Sequence, residues 1–187
     1  MIRHLYDEIA KRWYRGGTVW FYSDTHFGDA DMNARRNITD EEQVKLINSK
    51  LGKKDTIVFL GDIGDVSYIK KIRGYKVLIK GNHEKGITNY RDYFDEVYEG
   101  FLTISDKIIL SHAPFMNLPE YAFNIHGHVH FQKKSIAYEY RYRYLNVCGD
   151  NIDYTPISIN QIIESGLLKE TRNVHKMTIE ASRKWKR

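Results

Sequence analysis

The stretch Val19-Trp-Phe-Tyr-Ser-Asp-Thr-His26 joins a short apolar run to two side chains able to bind a metal, and the same join recurs along the chain. Residues 57–60 (Ile-Val-Phe-Leu) run into Gly61-Asp62, and residues 77–79 (Val-Leu-Ile) into Gly81-Asn82-His83-Glu84. Residues 108–110 run into a Ser-His-Ala-Pro stretch holding His112, and residues 122–125 into Gly127-His128-Val-His130. Such short apolar runs bounded by glycine and polar residues read as buried β-strands. Five of the eight histidines fall at these junctions. Chemistry delivered from successive strand ends is the habit of α/β domains, and that class is predicted here.

Signals between the motifs supply the remaining elements. Thr39-Asp-Glu-Glu42 matches a capping box opening a helix to about Lys50, with Val44, Leu46 and Ile47 at near-helical spacing. Further helices are expected at 67–72 and 90–94. Ser105-Asp106 separates β-like runs at 101–104 and 107–110, as in a hairpin. A strand is expected across 138–147. Ser158 can cap a short helix through Ile163, closed by Gly166.

Bulk composition fits one globular domain, 1–187, with a basic tail from about 168. The chain has 187 residues, 42% hydrophobic and 28% charged, enough for one substantial core. No apolar stretch approaches the roughly 20 residues of a membrane span. The opening Met1-Ile-Arg-His-Leu-Tyr-Asp-Glu8 carries charge where a secretion signal needs an apolar run, and lone Cys148 cannot form an internal disulfide. A cytoplasmic location, with no membrane partner, is the expectation.

Strand alternation would turn residues i and i+2 to one side, so that Asp24 and His26 meet one ion, as do His128 and His130. The two oxygens of Asp62 allow it to bridge two cations roughly 3.5–4 Å apart. Asn82 offers a carbonyl oxygen, and His112, His128 and His130 offer imidazole nitrogen. This mixed N and O set, without thiolate, suits Mn, Fe, Zn or Co better than Ca.

The ordered series Asp24-x-His26, Gly61-Asp62, Gly81-Asn82-His83-Glu84, His112 and Gly127-His128-x-His130 resembles the calcineurin-like metallophosphoesterases, over about residues 19–163. Asp24-Thr-His-Phe-Gly28 and Asp153-Tyr-Thr-Pro-Ile-Ser158 resemble the small single-domain bacterial and phage members. The resemblance implies an α/β four-layer αββα sandwich of two mixed β-sheets flanked by helices. It implies two divalent or trivalent ions, Mn foremost, with Fe, Zn, Ni or Co as alternatives. Asp24, His26 and His130 would hold the first ion, Asn82, His112 and His128 the second, and Asp62 both. Phosphomonoester or phosphodiester hydrolysis by a dimetal-activated hydroxide follows, with His83 facing the leaving group as acid. Asp65 would either accept from His83 and hold its tautomer or cap a turn.

Arg35 and Arg36, in the segment 29–37 read as a loop, are candidates to hold a substrate phosphate, or are solvated loop charges. His126 falls on the same side as His128 and His130, as their neighbour and outside the ligand set. Cys148 is read as a packed small side chain. Tyr138, Tyr140, Tyr142 and Tyr144 alternate with charged residues, as in a half-buried strand or a stacking platform for single-stranded nucleic acid. The tail cluster Arg183, Lys184, Lys186 and Arg187, with net charge +5, fits an anionic partner. The substrate is therefore a phosphoester, a nucleotide or nucleic acid among the options. A nuclease or end-processing phosphatase is the alternative, and a non-catalytic adaptor is disfavoured because every ligand position is intact. Oligomeric state is not legible.

Overall fold

Val19–Tyr22 (β1) lies parallel to Thr56–Phe59 (β2), in the register Val19↔Thr56 to Tyr22↔Phe59. β2 lies parallel to Tyr75–Ile79 (β3), and β3 to Glu96–Tyr98 (β4). Ile157–Ser158 (β9) closes the other edge antiparallel to β1, giving the order β4-β3-β2-β1-β9. A second sheet takes Phe101–Thr103 (β5), Ile108–Ser111 (β6), Phe123–His126 (β7) and Tyr144–Asn146 (β8), in that order. Within it β5 is antiparallel to β6, and the other pairs are parallel. The protein is thus a mixed α/β fold of two mixed sheets flanked by helices, as expected. The computed structural model describes residues 7–84, 89–105, 107–131 and 143–170.

The strands read as unbroken apolar runs because both faces of the first sheet are covered. Val58 and Leu60 join Val19, Phe21, Val77 and Ile79 against Ile108, Leu110, Phe123 and Ile125 of the second sheet. Ile57 and Phe59, pointing the other way, pack with Tyr22 and Leu78 against Val44 and Ile47 of the helix Asp40–Lys50. That helix carries the expected capping box: Thr39 Oγ1 accepts the Glu42 N–H, and Glu42 accepts the Thr39 N–H. Ser158 and Gln161 cap the helix Ile159–Glu164 in the same way.

Several elements differ from the sequence reading. Residues 29–37 form a helix, Ala30–Arg36, rather than a loop. Asp29 accepts the Met32 N–H at its start, and Asn37 ends it in the left-handed conformation, φ 51°. The helices expected at 67–72 and 90–94 are 3-10 turns, Val66–Lys71 and Tyr90–Asp92. The helix Asp7–Tyr14 and β4 were not anticipated. Numbered in chain order, the helices are α1 (Asp7–Tyr14), α2 (Ala30–Arg36), α3 (Asp40–Lys50) and α4 (Ile159–Glu164). Of the strand expected at 138–147, β8 is described, whereas Tyr138, Tyr140 and Tyr142 lie outside the described residues. So do Arg183, Lys184, Lys186 and Arg187. Among the described residues no helix is long and apolar enough to cross a membrane.

The sheets meet where β1 and β8 end. Ser23 bridges to Cys148, with Ser23 N–H donating to the Val147 carbonyl and Gly149 N–H to the Ser23 carbonyl. At the same end the loop after β1 keeps pairing with the loop after β2: Asp24 N–H donates to Gly61, His26 N–H to Asp62 and Phe27 N–H to Ile63. Every junction motif therefore arrives at one seam.

Candidate metal centre

At this seam Asp24, His26, Asp62, Asn82, His112, His128 and His130 come together. His112 Nε2 lies 2.8 Å from Asn82 Oδ1, 3.0 Å from His128 Nδ1 and 3.3 Å from Asp62 Oδ2. His26 Nε2 lies 3.3 Å from His130 Nε2 and 3.9 Å from Asp62 Oδ2, and His130 Nε2 lies 3.5 Å from Asp24 Oδ1. Metal-capable groupings fall at Asp62 with His112 and His128, at Asp24 with His26 and Asp62, and at Asp24 with His130 and Cys148. Asp62 contributes to two of these three groupings among the described residues.

Strand alternation is not what brings these residues together. Asp24 (φ 60°), His26 (φ 48°), Asp62 (φ 54°) and His128 (φ 68°) all adopt the left-handed conformation, so each side chain is aimed by a turn just past its strand. Non-glycine residues seldom adopt it, and such strain gathers at functional sites. Close packing assists the aim. A Cβ on Gly127 would fall 2.3 Å from Asp24 Oδ2, so only glycine lets the two loops touch, with the His128 N–H donating to that oxygen. Buried Glu84 holds the Asp62 turn: its carboxylate accepts the N–H groups of Gly81, Asp62 and Ile63 at 2.6, 2.8 and 2.7 Å.

Hydrogen bonds behind the candidate ligands decide which ring nitrogen is free. His112 Nδ1 lies 2.7 Å from the Leu60 carbonyl, which can only accept, so Nδ1 carries a proton and the neutral form of the ring turns a bare Nε2 to the seam. His130 Nδ1 donates likewise to Asp150 Oδ2 at 2.6 Å, again freeing Nε2. With the ring neutral, His112 Nε2 and Asn82 Oδ1, two acceptors 2.8 Å apart, repel unless positive charge lies between them. Asp24 Oδ1 adds a buried oxygen with no hydrogen-bond partner. The donor set fits a metal cation on these grounds.

Electrostatics respond to the same crowding. Burial raises the Asp24 carboxyl above the usual carboxylate range, partly offset by His112. Burial also pushes Asp62 up, but the His112 side chain and the His83 N–H outweigh it and hold the group at about 2. Burial lowers His26 to about 4, aided by the Arg36 charge, so its ring is neutral and ligand-competent at pH 7. For His112, burial is overcome by Asp62 and Asp24, which raise its pKa.

His83 stands at the rim. Its backbone N–H donates to Asp62 Oδ1 at 2.9 Å, while its ring, with 61% side-chain exposure, places Nε2 3.9 Å from Asp62 Oδ2. Asp65 makes no ion pair with it. The Asp65 carboxylate instead accepts the Ser67 N–H and caps the 3-10 turn, the alternative reading of that residue. Arg36 departs further from expectation. It is buried, not extended towards solvent: Nε pairs with Asp150 Oδ1 at 2.6 Å, and its terminal nitrogens donate to the Thr25 and Asp24 carbonyls at 2.9 and 2.7 Å. Arg35, one residue earlier on α2, is exposed. His126 is fully buried and its Nδ1 donates to the Gly127 carbonyl at 2.8 Å. Cys148 is buried, 3.3 Å from His130 Nδ1, and burial pushes its thiol far up, which disfavours the thiolate a metal needs. Glu84, Asp150 and buried Arg36 are the supports that motif reading missed. Only Glu84 was signalled, as the last residue of the Gly-Asn-His-Glu run.

Solved structures resemble the chain. A protein of unknown function from Aquifex aeolicus, AQ665, aligns with a TM-score of 0.66 at 27% identity, covering 79% of this chain and 98% of that one. The Pseudomonas putida nuclease MPE aligns with a TM-score of 0.45 at 17% identity, covering 70% of this chain and 74% of that one, a loose likeness. No model of a known protein family and no curated protein sequence matches the chain.

Proposed function

We propose that the protein is a metal-dependent phosphoesterase of the calcineurin-like type. The observation that carries the reading is the gathering of seven N- and O-donor residues, Asp62 among them, with Nε2 turned to the seam from behind on His112 and His130. Asp24, His26 and His130 would hold one ion, Asn82, His112 and His128 a second, and Asp62 both. Bound there, such ions supply Lewis acidity: they lower the pKa of water and neutralise charge on phosphoryl oxygens.

The chain's own groups do the rest. Glu84 fixes the Asp62 turn through three backbone N–H groups, so the shared carboxylate is held before substrate arrives. Asp150 and Leu60 keep His130 and His112 in the tautomers that present Nε2. His83, exposed at the rim and tied by its backbone to Asp62, is placed to give a proton to the departing oxygen of the ester. Arg35, exposed on α2, is available to a substrate phosphate, whereas Arg36 serves the scaffold.

The test is hydrolysis of bis-p-nitrophenyl phosphate and p-nitrophenyl phosphate by protein reconstituted with Mn²⁺, alongside calorimetric metal titration. The expectation is turnover and two bound ions per chain, with Asp62→Asn weakening both sites and nearly abolishing turnover. Absence of tight metal binding in the folded wild type would overturn the assignment.

A further inference from the structure

Strand pairing between β7 and β8 ends at His126↔Asn146, so the loop that follows, residues 127–131, presents His128 and His130 without a ladder to hold it. The two histidines serve different halves of the centre. His128 Nδ1 lies 3.0 Å from His112 Nε2, in the grouping with Asp62, whereas His130 Nε2 lies 3.3 Å from His26 Nε2 and groups with Asp24. Val129 is the covalent link between those halves, and its backbone conformation sets how far apart the two rings stand.

Both polar groups of the Val129 backbone are engaged. Its N–H donates to the Gly127 carbonyl at 2.8 Å. Its carbonyl accepts two side-chain amides, from Asn146 Nδ2 and from Asn151 Nδ2, each at 2.8 Å. Two donors fill both lone pairs of that oxygen. Asn146 is itself oriented, because its Oδ1 accepts the Cys148 N–H at 2.9 Å. Asn151 belongs to the 3-10 turn Gly149–Asn151, and Asp150 of the same turn accepts from His130 Nδ1 at 2.6 Å. One short segment, 146–151, therefore grips the loop at two successive points, the Val129 carbonyl and the His130 ring.

On the two-ion reading of the centre, on which this rests, we propose that Asn146 and Asn151 are positioning residues. By holding the Val129 carbonyl from two sides they fix the separation of His128 and His130, and with it the spacing of the ions those residues would hold. The chemistry of the amide suits the place. A carbonyl needs a donor, which a carboxylate is not, and a lysine or arginine would bring positive charge up to a centre meant for cations. A neutral N–H supplies the bond without that repulsion. Neither asparagine is assigned to an ion; each acts through the peptide between two candidate ligands.

The experiment is calorimetric Mn²⁺ titration of the wild type, of Asn151→Leu and of the double variant Asn146→Ala, Asn151→Leu. Leucine keeps the side-chain volume and cannot donate. With one amide left, the single variant should bind both ions about tenfold more weakly, and the double variant about 100-fold, the range found when the supports of metal ligands are removed. EPR of the Mn²⁺-loaded proteins reads the spacing directly: a spin-coupled spectrum in the wild type, and in the double variant an altered coupling or the signal of isolated ions. Urea unfolding in EDTA on the same proteins separates support of the fold from support of the centre. Lost stability with wild-type Mn²⁺ affinity and spectrum would overturn the proposal, as would weakening at one ion alone. Should the double variant lack a cooperative transition, Asn151→Leu decides, and unchanged affinity there overturns it. No Mn²⁺ binding by the folded wild type would sink the two-ion reading and this proposal with it, whereas two ions bound equally by all three proteins would sink this proposal alone.

Discussion

Replacing Arg36 by alanine should be among the most damaging single changes in the chain. The side chains of Arg36 and Asp150 are 0% and 1% exposed and pair at 2.6 Å. Removing one partner of a buried ion pair costs about 3–5 kcal/mol, because the other charge stays buried and uncompensated. The carbonyls of Asp24 and Thr25 lose their guanidinium donors in the same step, an overlapping loss that places Arg36→Ala towards the upper end of that range. Total stability of a domain this size is about 5–15 kcal/mol, so a third or more of it could disappear. The assay is urea unfolding in EDTA followed by tryptophan fluorescence. Asp150→Asn in the same background neutralises the stranded carboxylate, so the double variant should be less unstable than the sum of the singles by about 2 kcal/mol. A loss below about 1 kcal/mol for Arg36→Ala, or strict additivity of the pair, would refute the view that this ion pair clamps the β1 loop to the segment behind His130.

Three further outcomes are expected. His83→Ala should leave calorimetric metal binding intact yet lower kcat about 10²- to 10⁴-fold, most severely for poor leaving groups that need a proton; loss of an ion would instead make His83 a ligand. Glu84→Gln exchanges an ionised acceptor of three N–H groups for a neutral amide and should cost about 2 kcal/mol in urea unfolding, with weaker metal binding through the loosened Asp62 turn. Burial depresses His126 to about 4 against an ordinary 6.5, so the unfolded chain takes up the proton first. Stability in EDTA should therefore be full above about pH 6.5 and fall as pH drops towards 4, and His126→Gln should flatten part of that decline.

The fold was legible where burial is two-sided. Residues 57–60 and 77–79 are apolar at every position because sheet and helix cover opposite faces, and the capping box at Thr39 located α3 by backbone chemistry alone. α2 was missed because its boundary residues, Asp29 and Asn37, mark a loop as readily as a helix, and only tertiary contact chooses. The candidate ligand motifs were visible as residue types, but the reason they converge was not: alternation along a strand was expected, and left-handed turns do the aiming. Arg36 was misread because its partner, Asp150, lies 114 positions away and nothing local announces the pairing. Asp65 was open between two roles, and the free Ser67 N–H beside it supplied the nearer acceptance.

The four left-handed residues at the seam have one more consequence. Their backbone cost is met by the surrounding hydrogen bonds with no ion present, so a cation held there as proposed would find its donors already turned inwards. Loading should therefore be quick and should leave the chain's shape almost unchanged. Its main trace should be a sharp gain in heat resistance, as repulsion among the crowded lone pairs is switched off.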